Sequence, residues 1–163
     1  MEQALKFRNS LLQSDGGTFN VEITADFEDI IHSFKMNCEW DSTDQMKFTV
    51  LEPESISGIA GTISQDNGKI EFDDKALFFD MMADGTITPV SAPWFVLRAM
   101  RSGYIKGAGV NEAGYLVQLN DSYRDDALNV NLQMNTDCSP VFAEVFYNGR
   151  RVVSIRFENF TIL

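Results

Sequence analysis

The chain carries one histidine and two cysteines, so nucleophilic chemistry of the Ser-His-Asp or Cys-His kind has to centre on His32. Cys38 falls on the same face of one strand pattern, but at the usual rise the two lie roughly 20 Å apart and do not pair. Neither Cys38 nor Cys138 has neighbours at metal-ligand spacing, and no Gly-rich phosphate loop follows a strand and opens a helix. The acidic groups Asp41/Asp44, Asp73-Asp74 and Asp125-Asp126 lack the spacing of a calcium loop and read as solvated turns. Carboxylates from distant positions meeting in a cleft stay open as a route to hydrolysis. We therefore expect a non-enzymatic protein with no cofactor and no metal.

Two polar residues sit on otherwise apolar faces. His32 either titrates near neutrality and gates a pocket, or is hydrogen-bonded at a strand end. Glu144 shares a face with Phe142 and Phe146. Desolvated there, its carboxyl has a raised pKa and suits a polar headgroup; at an edge it reaches solvent.

The elements that position these residues come from periodicity. Phe19, Val21, Ile23, Ala25 and Phe27 alternate with Asn20, Glu22, Thr24 and Asp26, a period of two that makes one strand face apolar. His32, Phe34, Met36, Cys38 and Trp40 continue it in a second strand after a turn at Glu28-Asp29. Met46, Phe48 and Val50 continue it in a third, ended by Pro53. Gly58 and Gly61 within 56–64 mark a bend or close backbone approach, and Asp66-Asn67-Gly68 marks a hairpin. Leu128, Val130, Leu132 and Met134 alternate with Asn129, Asn131 and Gln133. Asn148-Gly149 joins the last two strands by a type I′ turn. Pairing Tyr147 with Arg150 puts Glu144 opposite Val153, Phe142 opposite Ile155, and Val145 against Val152.

Two stretches have helical spacing. Residues 2–13 place Leu5, Leu11 and Leu12 with Ala4 and Phe7 at near-helical spacing before Ser14-Asp15-Gly16-Gly17. Residues 92–102 start with a capping Ser91 and Pro93, close at Gly103, and are apolar on more than one side. The expectation is a mainly β (α+β) chain: one domain, 1–163, with a curled antiparallel sheet of about ten strands as an open half-barrel. An N-terminal helix precedes it, and the mid-chain helix is its plug or lid, hinged near Gly85 and Gly103.

Composition narrows the partners. A net charge of −11 and pI near 4.4 repel phosphate backbones and anionic headgroups, which excludes nucleic acid. No run approaches the roughly 20 apolar residues of a membrane span. Met1 is followed by Glu-Gln-Ala-Leu-Lys rather than an apolar export signal, so the chain is either cytosolic or the remainder of an exported precursor. If exported, its two cysteines can pair.

The order of elements, with Phe48-Thr49-Val50-Leu51-Glu52-Pro53 leading into Ile56-Ser57-Gly58-Ile59, then short hairpins, a Pro-containing helix and closing strands, resembles the LolA/LolB-type lipoprotein carriers. It is most similar to uncharacterised lipoproteins of clostridial type. The resemblance implies an unclosed barrel with a helical lid over an apolar concavity that takes acyl chains or lipoproteins. It also implies export to the cell envelope, and membrane association through a lipid anchor. No arginine matches the one that carriers place in the concavity: Arg98 and Arg101 lie on the helix and Arg156 on the last strand.

On this reading the ligand-binding lining comprises Phe19, Val21, Ile23, Phe34, Met36, Met46, Phe48, Trp94, Leu97, Met100, Val130, Leu132 and Met134. Seven methionines and thirteen phenylalanines make an adaptable surface for a lipid or acylated protein, in a monomer. The alternative is that these side chains fill one another as a core. The chain is then a structural or protein-interaction module without ligand, working through a sheet edge. A lipocalin-like binder fits less well, because the mid-chain helix interrupts the strands.

Overall fold

The computed structural model describes residues 1–27, 30–65, 67–80, 82–83, 86–123 and 127–163. The expected turn at Glu28-Asp29, the acidic pair Asp125-Asp126, Asp66 and the hinge at Gly85 lie outside these residues. Helix α1 is Glu2–Gln13. Six strands follow: β1 Gly16–Phe27, β2 Ile30–Asp41, β3 Gln45–Glu52, β4 Ala60–Ser64, β5 Asn67–Phe72 and β6 Lys75–Asp80. Two short strands, β7 Met82–Ala83 and β8 Thr86–Ile87, lead into helix α2, Ala92–Ser102. The chain ends with β9 Tyr104–Asn111, β10 Gly114–Asn120, β11 Asn129–Met134, β12 Pro140–Tyr147 and β13 Arg150–Ile162.

Eleven strands form one antiparallel sheet in the order β6-β5-β4-β3-β2-β1-β13-β12-β11-β10-β9, and β7 pairs β8 separately. The sheet is therefore two meanders joined where β1 pairs β13. Its edges, β6 and β9, stay unpaired with each other, so the barrel is open. The chain leaves the sheet at edge β6 and re-enters at edge β9. Helix α2 lies on that crossover, and its apolar surface goes against the apolar face of the sheet.

Period-two patterning accounts for that face. Phe19, Val21, Ile23, Met36, Cys38, Trp40, Met46, Phe48, Val130, Leu132, Met134, Ala143, Val145, Val153 and Ile155 are all buried in one cluster. Gly61 marks the close approach expected for it: an added Cβ would stand 2.4 Å from the Lys69 carbonyl oxygen and 2.5 Å from the Phe48 ring. At the foot of the sheet Phe19 stacks on Phe160 at 5.3 Å and meets Trp40 at 5.8 Å, and Phe7 of α1 reaches Phe160 at 6.0 Å.

Four expectations are corrected. Only Ala4, Phe7 and Leu11 of α1 are buried; Leu5 and Leu12 face water, because one side alone of the helix meets the sheet and α2. Ser91 makes no capping bond, since it continues a 3-10 turn, Pro89–Ser91, with helical backbone rather than the extended backbone a cap needs. His32, expected on the apolar face, is exposed although its cross-strand neighbour Ala25 is buried; its place near the start of β2 agrees with the strand-end alternative.

The fourth concerns register. Tyr147 does pair with Arg150, but β13 bulges at Val152. Val145 therefore stands opposite Val153, Glu144 opposite Ser154, Ala143 opposite Ile155 and Phe142 opposite Arg156. Without the extra residue, Glu144 would have shared the core face with Val153. With side chains alternating by two, a one-residue shift exchanges the faces of a strand, and here the bulge returns Val153 and Ile155 to the core.

Candidate binding site beneath the crossover helix

The face of α2 that meets the sheet is set by its sequence. Trp94, Val96 and Leu97 have no exposed surface, and Phe95, Ala99 and Met100 very little. The structure brings twelve of the thirteen expected lining residues into the buried cluster between α2, α1 and the sheet; Phe34 is half-buried and packs against it. Val117 and Leu119 of β10, with Val145, Val153 and Ile155, share that face. Their alternation is visible in the sequence, but only the registers bring β10, β12 and β13 alongside β1 and β11.

Polar bonds hold the helix at both flanks. On one, the Trp94 indole N–H donates to the carbonyl oxygen of Gln65 at 3.2 Å, and Arg98 donates to the same oxygen at 3.1 Å. Arg101 pairs with the Asp44 carboxylate at 3.1 Å. On the other, Arg8 of α1 donates from Nε to the Met100 carbonyl at 2.8 Å and from Nη2 to the Ala99 carbonyl at 3.2 Å. These carbonyls lie in the last turn of α2; Ala99 also accepts from the Gly103 N–H at 2.9 Å, so Arg8 adds a second donor there and supplies one to Met100. Burial alone pulls the Arg8 pKa down, yet a guanidinium stays charged. Nothing in the local sequence marks Arg8 or Gln65 for this task, because both act through long-range contacts.

The space under the helix is small where α1, α2 and β9–β11 meet. A cavity of about 10 Å³, lined by Phe7, Met100, Val117, Leu132 and Met134 among others, has room for about one water. A wider groove of about 540 Å³ runs outside the helix past Leu12, Asp44, Gln65, Arg98, Arg101 and Ser102. Arg101 Nε is buried beside it with no hydrogen-bond partner among the described residues.

The groups considered for chemistry are dispersed. Cys38 is fully buried in the sheet face, and burial pushes its thiol pKa far up, so it stays protonated. Cys138 is half-buried near Gln3, and both cysteines are free. Glu144 is half-buried and paired with Arg151 at 3.1 Å, on the face away from the core. No group of His, Cys, Asp and Glu among the described residues is arranged to hold a metal ion. No described helix is long and apolar enough to cross a membrane.

This architecture, an open antiparallel sheet with a helix across its concave face, is that of the LolA-like proteins. An uncharacterised conserved protein from Thermus thermophilus aligns over 99% of this chain and 86% of its own, with a TM-score of 0.53 and 10% identity. A LolA superfamily protein from Nitrosomonas europaea aligns over 99% and 92%, with a TM-score of 0.52 and 12% identity. A chain in the complex of the CwlD amidase with the GerS lipoprotein from Clostridioides difficile aligns over 98% and 94%, with a TM-score of 0.50 and 13% identity. At such identities the likeness is one of fold. No protein-family model matches the chain, and no curated protein matches it.

Proposed function

We propose that the chain is a single-domain, monomeric, non-enzymatic protein of the cell envelope that takes up an acyl chain, free or on a lipid or lipoprotein, between α2 and the sheet. The observation that carries this reading is the crossover. One helix, which the chain connects to the two edges of the sheet, covers an apolar concavity lined by Met36, Met46 and Met134 and adds Met100 from its own face. Flexible thioether side chains repack around an entering chain at little cost. The described conformation is the closed one, with Trp94 and Leu97 where the ligand would lie. Displacing α2 exchanges its contacts for ligand methylenes, each contributing about 0.8 kcal/mol on leaving water. The LolA-like fold supports the reading, and a lipid anchor at the envelope is part of the same proposal.

Native mass spectrometry of gently purified protein, followed by lipid extraction and titration with cis-parinaric acid, tests it. A bound, extractable acyl species and saturable fluorescence enhancement are expected. A clean apo mass together with no uptake of the probe would sink the reading.

A second reading has its own observation. Phe72, Leu77 and Phe78 of the β5–β6 hairpin are 59%, 65% and 73% exposed at a sheet edge. An apolar edge of this kind suits docking of a protein partner. The similar fold in the CwlD–GerS complex belongs to an assembly of two proteins, which supports this alternative.

A further inference from the structure

The outer face of the sheet has a concavity of its own. A cleft of about 270 Å³ opens over β9–β12, lined by Lys106, Gln118, Asn120, Asn129, Asn131 and Phe146 and bounded by Gly149. Register explains its chemistry. Gln118 stands opposite Asn131 and Asn120 opposite Asn129, so four primary amides fill two successive cross-strand pairs. Asn129 in turn faces Phe146. Their chain neighbours Leu119 and Val130 point to the core and are buried. The other half of the same face is more mixed: Glu22 stands opposite Lys35 and Arg156, Lys35 opposite Glu52, and its one amide pair, Asn20 opposite Asn37, is bonded within itself at 2.9 Å.

Two further features point to a ligand. Asn120 Oδ1 is buried in the cleft wall and has no hydrogen-bond donor among the described residues. Tyr104, the cross-strand partner of Asn120, lies on the same face with its ring 5.1 Å from that of Tyr123. The two rings are 48% and 86% exposed. We propose that this cleft binds a neutral oligosaccharide. A primary amide carries a donor and an acceptor in one plane, which matches adjacent hydroxyls of a pyranose, and the cross-strand pair Gln118 and Asn131 is placed to use both. Exposed aromatic faces stack against the apolar C–H face of a sugar ring. A chain of net charge −11 with one lysine at the cleft disfavours acidic sugars and phosphate polymers. The site is on the opposite face from the crossover helix and does not depend on acyl-chain binding.

The test is backbone amide NMR of isotope-labelled protein titrated with chitotetraose and with maltotetraose. Saturable shifts are expected around Tyr104, Gln118, Asn120 and Asn131 for at least one of them, with a Kd in the millimolar range or tighter. Asn131→Ala should weaken binding about tenfold or more. Tyr123→Ala should do the same at a position too exposed to endanger the fold. Absence of saturable shifts up to about 10 mM of both sugars overturns the proposal. So do shifts that leave the cleft unaffected, or that both variants retain unchanged.

Discussion

The indole N–H of Trp94 reaches the carbonyl oxygen of Gln65 across 3.2 Å, tying the crossover helix to the tip of the turn between β4 and β5. Gln65 holds a left-handed backbone with φ of 53°, and Asp44, which receives Arg101 on the neighbouring hairpin, holds one with φ of 64°. Two hairpin tips thus reach the same side of α2. Gln65 offers a main-chain oxygen and Asp44 a carboxylate, and the helix lies under these latches rather than being woven into the sheet.

Trp94 separates the worth of the latch from that of the packing. Trp94→Phe keeps most of the ring but removes the donor, and should lower stability by about 1–2 kcal/mol. Trp94→Ala also empties a fully buried site and should cost about 3–5 kcal/mol. Urea unfolding with an unchanged m-value measures both. Equal losses for the two variants would show that the bond to Gln65 contributes most of the effect.

Arg8 tests whether α2 moves as a lid. Arg8→Met removes two charge-assisted bonds from the last turn of the helix while keeping most of the stem that borders the small cavity beneath it. Amide exchange along 92–102 should accelerate by about tenfold or more while the central strands β1 and β13 keep their protection. If the closed helix is what excludes an acyl chain, uptake of cis-parinaric acid should rise in the same variant. Uniformly faster exchange over the whole sheet would instead mean that α2 and the sheet open together.

The strands and both helices are legible in the sequence because each depends on local periodicity. The 2–13 and 92–102 stretches became α1 and α2 with those limits, and about ten strands are expected against thirteen found among the described residues, the two-residue β7 and β8 having no alternation to read. Legibility fails where the decisive contact is distant. Leu5 and Leu12 are as apolar as Leu11 but lie about a third of a turn round the helix from Ala4, Phe7 and Leu11, and how α1 docks decides which apolar side is buried. The bulge at Val152 cannot be seen in β13 alone, since Val152 and Val153 are equally apolar and only the partner β12 distinguishes their roles. The apolar lining was readable as a set. Its cover was not, because the bonds of Arg8, Gln65 and Asp44 to α2 join positions remote in sequence.

The two thiols should differ sharply in reactivity. Cys38 has no exposed surface, and burial holds its pKa far above the ordinary thiol range. The nucleophile is the thiolate, so a site where only the thiol form persists is inert. Native protein treated with excess iodoacetamide at neutral pH should therefore carry one modification, at Cys138, and urea-unfolded protein two. Modification of Cys38 at a rate close to that of Cys138 would show that the sheet face opens readily to reagent.

The bulge in β13 makes a prediction about deletions. Tyr147–Arg150 and Phe146–Arg151 pair before the bulge, and Val145–Val153 and Ala143–Ile155 pair beyond it. Removing Val152 therefore joins two ladders already in phase, and every other residue keeps its face. The loss should approach that of one buried valine, about 1.5–3 kcal/mol, in a chain that still folds. Removing Ser154 is absorbed at the same place: Val152 takes the position opposite Val145 and Val153 moves opposite Glu144, while Ile155 stays opposite Ala143 and Arg156 opposite Phe142. That deletion should also fold cooperatively, with one valine in the core exchanged for the other. Circular dichroism melts of the two deletions check this. If either deletion abolishes the cooperative transition, the local twist added by the bulge is itself required to curl the sheet around α2.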